Sequence, residues 1–226
     1  VRDAWVLEPK ISFGRKGGEN SSAVGFIDGN FLGTGNEVAL IYESEPDRNK
    51  IIYRVRTSHI FNMFDAEIYH ADLSDGEDNR LSFAKPFYSL NTPWSFGAST
   101  TKLTQKHNTR FNDEVLNQFN VEDTHDLAFV GHTFNIKPTH VNRLYLGYTE
   151  SATEFITTTG TVSTPEATKQ EYPWIEFEKL TNRFERFNNL TFIARTESVP
   201  IGANYRLRFG EGKNLEDETF RKIEGE

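Results

Sequence analysis

Apolar and polar residues alternate along most of this chain with a period of two. The clearest stretch is 50–60, where Ile51, Tyr53, Val55 and Thr57 fall on one side and Ile52, Arg54, Arg56 and Ser58 on the other. Further along, Phe64, Ala66 and Ile68 oppose Asp65 and Glu67, while Leu81, Phe83 and Phe87 oppose Arg80 and Ser82. Trp94, Phe96 and Ala98 oppose Ser95, Gly97 and Ser99, and Leu144, Leu146 and Tyr148 oppose Arg143 and Thr149. Successive side chains of a strand point to opposite faces, so this period predicts strands with one apolar face. It places them near 9–16, 21–31, 37–45, 50–60, 64–73, 80–88, 94–104, 125–136, 141–153, 171–183 and 190–209, the last being one strand or two. Only the tail 214–226 (NLEDETFRKIEGE) could be claimed by a helix.

The connections between these strands predict two unlike rims. One set is short: 32–36, 61–63, 89–93, 137–140 and a turn around 187–189. The other is longer and polar: 16–20, 45–49, 73–79, 105–124 and 154–170. Alternating short turns and long loops is the habit of an outer-membrane barrel. Strands of about 10 residues, rising ~3.3 Å each and tilted, match an apolar band of ~25 Å. The expected fold is therefore all-β, an antiparallel up-and-down meander forming part of a transmembrane β-barrel with about 10–12 strands. The whole chain, 1–226, reads as one such segment. A soluble secreted β-sandwich is the competing reading, because its strands would alternate in the same way.

Composition narrows the function classes. Of 226 residues, 19 are Phe, 8 Tyr and 3 Trp, an aromatic supply that suits pleated surfaces. Cys is absent, which excludes disulfides and thiolate metal sites. The net charge of −8, with no clustered basic face, argues against nucleic acid as a partner. No apolar run reaches the ~20 residues of a spanning helix, a fact that says nothing of strands. His107, His125, His132 and His140 sit at expected loops or strand ends, without metal-ligand spacing. His125-Asp126 could suggest a base and its orienter, but no nucleophile elbow or phosphate loop accompanies it. The chain reads as a non-enzyme without a cofactor. Carboxylates such as Asp75, Glu77, Asp78, Glu122 and Asp123 read as solvated loop charges, with cation bridging to lipopolysaccharide phosphates as the alternative.

Several segments carry a resemblance: Ala4-Trp5-Val6-Leu7-Glu8-Pro9, Ile11-Ser12-Phe13-Gly14-Arg15-Lys16-Gly17-Gly18-Glu19-Asn20, and Asn30-Phe31-Leu32-Gly33-Thr34-Gly35-Asn36. Asp47-Arg48, Ser74-Asp75-Gly76, Pro86-Phe87-Tyr88-Ser89-Leu90-Asn91-Thr92, Ala194-Arg195-Thr196-Glu197 and Ile201-Gly202 extend it. Together they resemble the N-terminal part of the barrel in the Omp85 superfamily, the BamA- and TamA-like surface antigens. The family's inward-folded V-R-G-F type loop is absent. The resemblance implies an internal piece of a longer protein, with POTRA domains and final barrel strands outside it. It also implies residence in the bacterial outer membrane, contact with lipid and lipopolysaccharide, and client outer-membrane or secreted proteins. The family's seam between first and last strands would fall on Ile11, Ser12, Phe13 and Arg15, which could offer an edge to a client strand. A passive pore or loop-displaying adhesin is the alternative role. Trp5, Phe31, Phe61, Phe64, Tyr88, Trp94 and Trp174 are expected in aromatic girdles at the bilayer interface. Arg54, Arg56, Arg143, Arg206, Arg208, Glu67, Glu176 and Glu178 are expected to line the lumen, or, in a sandwich, the solvated face.

Overall fold

The computed structural model describes residues 7–16, 19–60, 63–112, 114–188 and 196–226. The strands run β1 Leu7–Lys16, β2 Glu19–Asp28, β3 Glu37–Ser44, β4 Asn49–Ile60, β5 Phe64–Leu73, β6 Gly76–Lys85 and β7 Trp94–Phe111. They continue with β8 Glu114–Lys137, β9 His140–Thr157, β10 Thr168–Thr181, β11 Phe184–Asn188, β12 Thr196–Pro200, β13 Tyr205–Asn214 and β14 Thr219–Gly225. Twelve of them form one antiparallel meander in the order β1 to β10, then β13 and β14, and β11 with β12 makes a separate two-stranded sheet. The all-β meander expected from the alternation is therefore present. It is an open sheet: β1 and β14 each have a single neighbour among the described residues.

The alternation sorts the side chains onto two unlike faces. Phe96, Val130, Leu146, Ile175, Phe209 and Ile223 are consecutive cross-strand partners from β7 to β14, and every one is exposed. Ile11, Val24, Tyr42 and Ile51 form the same kind of exposed row across β1 to β4. The few buried apolar residues belong to the other face, where Ala39, Ile41, Ile52 and Ala71 pack with Ile27, Tyr69 and Leu73. Water normally drives apolar side chains inward, and an exposed contiguous apolar surface of this extent marks contact with something apolar.

The apolar belt crosses the strands obliquely. The register row that starts at Val24 reaches Glu122 on β8, whereas the belt on β8 is centred near Val130. That drift of about eight residues, ~26 Å along the strand, accrues over six strand spacings of ~4.8 Å, a slope of roughly 40°. From β8 to β14 the belt follows the register instead.

β7, β8 and β9 run past the belt, with 18, 24 and 18 residues. Above Thr100, Asp126 and Glu150 their pattern inverts. The side that carried Phe96, Val130 and Leu146 now carries Lys102, Glu122 and Glu154, with Lys102 bonded to Glu122 at 2.8 Å. The opposite side turns apolar: buried Phe119 packs edge-on to Phe155 at 5.6 Å and beside His107 at 5.1 Å. These strand ends form a three-stranded wing, steadied by Asn117 and Gln118 bonding to the 158–167 loop.

The wing corrects the expected rims. Residues 105–124, expected as one long loop, are largely strand, whereas 154–170 keeps its loop at 158–167; the other described connections on that upper rim, 45–48, 74–75 and 215–218, are short. Among the described residues the lower rim holds 29–36, 86–93 and 138–139, with β11 and β12 between β10 and β13. The expected contrast of short and long rims is not what the structure has. Polar residues alternate on the wing because neither of its faces lies in the belt, and polar alternation reads as loop. The tail also departs from expectation: 214–226 is the turn and second strand of the β13–β14 hairpin, closed by Asn214 accepting from the backbone of Glu216 and Glu218. The turn expected near 187–189 and the strand expected from 190 fall partly outside the described residues.

Candidate functional site

The charged face is assembled from the polar half of each alternation. Glu43 binds Lys10 at 2.8 Å and Lys50 at 2.9 Å, tying β1 to β3 and β4. Arg54 meets Glu37 at 2.8 Å, Arg56 meets Glu67, and Arg80 meets Asp78 at 2.6 Å. Arg54, Arg56 and Glu67 thus lie where expected, on the face opposite the apolar belt.

The charge is densest across β9, β10, β13 and β14. Glu178 accepts from Arg143 at 3.2 Å, from Tyr145 Oη at 3.1 Å and from Arg206. Glu176 accepts from Arg206 at 3.2 Å and from Arg208 at 2.7 Å, and Arg208 continues to Glu224. Both glutamates are buried, and each is shared by two guanidiniums, which offsets the desolvation of a buried carboxylate. Arg143, Arg206, Arg208, Glu176 and Glu178, expected to share one face, are here one connected network.

Trp174 belongs to this network and not to a girdle. It is 5 % exposed, lies under the Arg208 guanidinium at 4.0 Å and donates from Nε1 to Thr149 at 3.0 Å. The sequence signal for this placement is its parity with Glu176 and Glu178 along β10, which nearness to a strand end does not override. The ring is admitted by Gly147, its cross-strand partner: a Cβ there would stand 2.2 Å from the indole. The same pairing of glycine with a cross-strand aromatic recurs on this face as Gly97 with Phe129 and Gly131 with Tyr145.

The other girdle candidates gather at the lower rim. Phe31 and Tyr88 are exposed in its connections. Phe64 stacks on Phe83 at 5.3 Å, and exposed Trp94 sits 4.2 Å from His132. Trp5 and Phe61 lie outside the described residues.

β1 carries the seam candidates. Ile11 and Phe13 are exposed on the apolar face, Phe13 at 84 %. Ser12 pairs with Ala23 on the opposite side of the strand, and exposed Arg15 pairs with Asn20 near the upper rim. The outer edge of β1 has no neighbouring strand among the described residues, so its backbone groups on that side are available to another strand.

At the upper rim, two segments that carried the resemblance are joined. Arg48 grips Asp75 in bidentate fashion at 2.6 and 2.9 Å and also donates to Gln105 Oε1 at 2.7 Å. The amide of Lys106 donates to Asp75 at 3.2 Å, which links the 45–48 turn, the 74–75 turn and β7. Hydrogen bonding to Asp75 holds the Arg48 guanidinium protonated beyond its ordinary range, against the opposing effect of its partial burial. Nothing local in the sequence marks this meeting of the two turns, since contact across 27 residues has no local signature.

Among the described residues no group of three or more His, Cys, Asp or Glu is placed to hold a metal ion. The chain matches no protein-family model, and no curated protein matches it.

Proposed function

We propose that this chain is a transmembrane segment of an outer-membrane β-barrel, of the Omp85-like kind that assists insertion or translocation of other proteins. The observation that carries this reading is the single sheet with an exposed apolar belt on one face and an ion-paired charged face on the other. In a bilayer the belt faces lipid and the charges face a watery lumen, so each face meets the medium that suits it. A β-sandwich would bury its apolar faces between two sheets, whereas here no second large sheet covers the belt among the described residues. The open edge of β1 supports the assembly role, because an unpaired edge can template an incoming strand through backbone hydrogen bonds. Ile11 and Phe13 would then extend the lipid-facing surface onto the client strand.

The test is reconstitution into phospholipid vesicles with an unfolded outer-membrane barrel as client. The chain has no native Cys, so a single Cys at Ser12 or Arg15 can carry a cross-linker. The expected result is faster client folding with cross-links concentrated at those positions. Contacts spread evenly over other strands would remove the assembly role. One observation favours a second reading, a barrel that displays a surface: the β7–β9 wing carries exposed Phe111, Val115 and Leu116 at its tip. Vesicle conductance without any effect on client folding would favour that reading.

A further inference from the structure

The 86–93 connection departs from the meander. Pairing of β6 with β7 stops at Lys85 and Phe96, and the residues between do not continue the ladder. The connection lies instead against the charged face of β8 and β9. Phe87 meets Tyr145 edge-on at 5.6 Å and lies under the Arg143 guanidinium at 4.1 Å. The floor of its socket is Gly131, where a Cβ would stand 3.1 Å from the Phe87 ring and 2.7 Å from Tyr145. Ser89 O accepts from Arg143 at 3.2 Å. At the far end Thr92 O accepts from Thr133 Oγ1 at 2.8 Å, and Pro93 O accepts from the Thr133 amide at 2.9 Å. Internally, Ser89 and Thr92 close a small turn of their own.

These contacts divide into an anchor and a latch. The Thr133 bonds fix the end that leads into β7, as any entry to a strand would be fixed. The middle is held chiefly by Arg143, through the stacked ring and the Ser89 carbonyl, beside the Phe87–Tyr145 edge contact and a long hydrogen bond of 3.4 Å from Tyr88 Oη to Asp65. Arg143 is 6 % exposed, and its Nε has no hydrogen-bond partner among the described residues. Its second partner, Glu178, retains Arg206 and Tyr145 whether or not Arg143 is engaged. Releasing the strap therefore leaves the remaining charge network satisfied, which is the condition for a contact that can open at modest cost. Between the strap and the β8–β9 turn lies a cavity of about 390 Å³ that Leu90, Ile136 and Val141 share with Asn91 and Asn182, so the middle is not packed tight against the wall.

We propose that segment 86–93 is a strap over the lower end of the charged face, latched by Arg143 and hinged at Thr133. Resting on the barrel reading, it narrows the lower mouth of the lumen when latched. When released it uncovers the Gly131 and Tyr145 step. Arg143 is a positioning residue here: it acts on the strap and on no substrate.

The test uses the full chain in phospholipid vesicles with a spin label on a single Cys at Leu90. The label is expected to be immobilised in the parent and, with Arg143→Gln, to move about tenfold faster, as a freed loop does. Phe87→Ala leaves the Arg143–Glu178 pair in place and removes only the stack, so it should loosen the label without altering far-ultraviolet circular dichroism. Arg143→Lys, which keeps the charge but loses the planar fork, should not restore the parent spectrum. A label equally mobile, or equally immobile, in parent and Phe87→Ala would overturn the latch. A control label at Leu146, read by collision with oxygen dissolved in lipid, tests the membrane reading separately. Failure of that control would remove the lumen while leaving the latch result standing.

Discussion

At the scale of single residues, the charged face is held by contacts that tolerate little change. Gly147 is the sharpest case, because its missing side chain is the space that the Trp174 ring fills. Gly147→Ala forces that ring away from Arg208 and Thr149, and overpacking of this kind costs about 1–3 kcal/mol. The expected outcome is a lower urea midpoint for unfolding from vesicles, with partial recovery when Trp174→Leu is added. A midpoint unchanged by Gly147→Ala would mean that the ring is not held there. Arg48 poses a different question, since its fork joins two upper-rim turns to β7. Asp75→Asn keeps the shape and removes the charge, leaving a partly buried guanidinium without its carboxylate, at a cost of roughly 1–3 kcal/mol. Proteolysis is the sensitive probe: cleavage within 45–48 and 74–75 should accelerate together. Acceleration at one turn alone would show that the clasp does not couple them.

Strands as whole elements were the most legible part of the sequence. The alternation in 50–60 or 64–73 fixes both the strand and its faces, because period two carries position and orientation at once. Less could be read where the environment changes along one strand. β8 shares a lipid-suited pattern at 128–136 and a polar one above Asp126, and only the register, itself a long-range property, reveals that both belong to one element. The 86–93 strap was equally hidden: Phe87 keeps the parity of Leu81 and Phe83 but lies past the end of β6, where parity no longer orients a side chain. Of the candidate site, the charged face followed from alternation, whereas the Arg48–Asp75 clasp and the Arg143 latch depend on chain reversals that no local spacing encodes. The inversion on β8 supplies its own internal control. Val130 and Thr124 share a face of the strand, one in the belt and one above it. Val130→Arg should cost about 2–4 kcal/mol in vesicles and Thr124→Arg close to nothing, following the depth dependence of charge on a lipid-facing strand. Equal effects at the two positions would erase the proposed boundary.

For the whole molecule, the proposed barrel predicts that the apolar face meets lipid, and two tryptophans on opposite faces can test it. Trp94 is exposed on the apolar side at the lower rim, whereas Trp174 is enclosed on the charged side beneath Arg208. In vesicles made with brominated acyl chains, a tryptophan touching lipid loses fluorescence by contact with bromine. Trp5 would confuse the reading, so Trp5→Phe is the background for both variants. With Trp174→Phe added, the remaining Trp94 should be quenched, most strongly when the bromine sits near the headgroups, where amphipathic rings of an interfacial belt reside. With Trp94→Phe instead, Trp174 should be unaffected at every bromine depth. A sheet lying flat on the bilayer through its apolar face would also quench Trp94, but all belt positions would then report one shallow depth. A spanning sheet separates them, because Trp94 and Ala98 stand about four residues apart along β7, or ~13 Å of strand. A second tryptophan placed at Ala98 should therefore report a deeper maximum than Trp94. Identical depth profiles at these two positions would leave the sheet on the membrane and not in it.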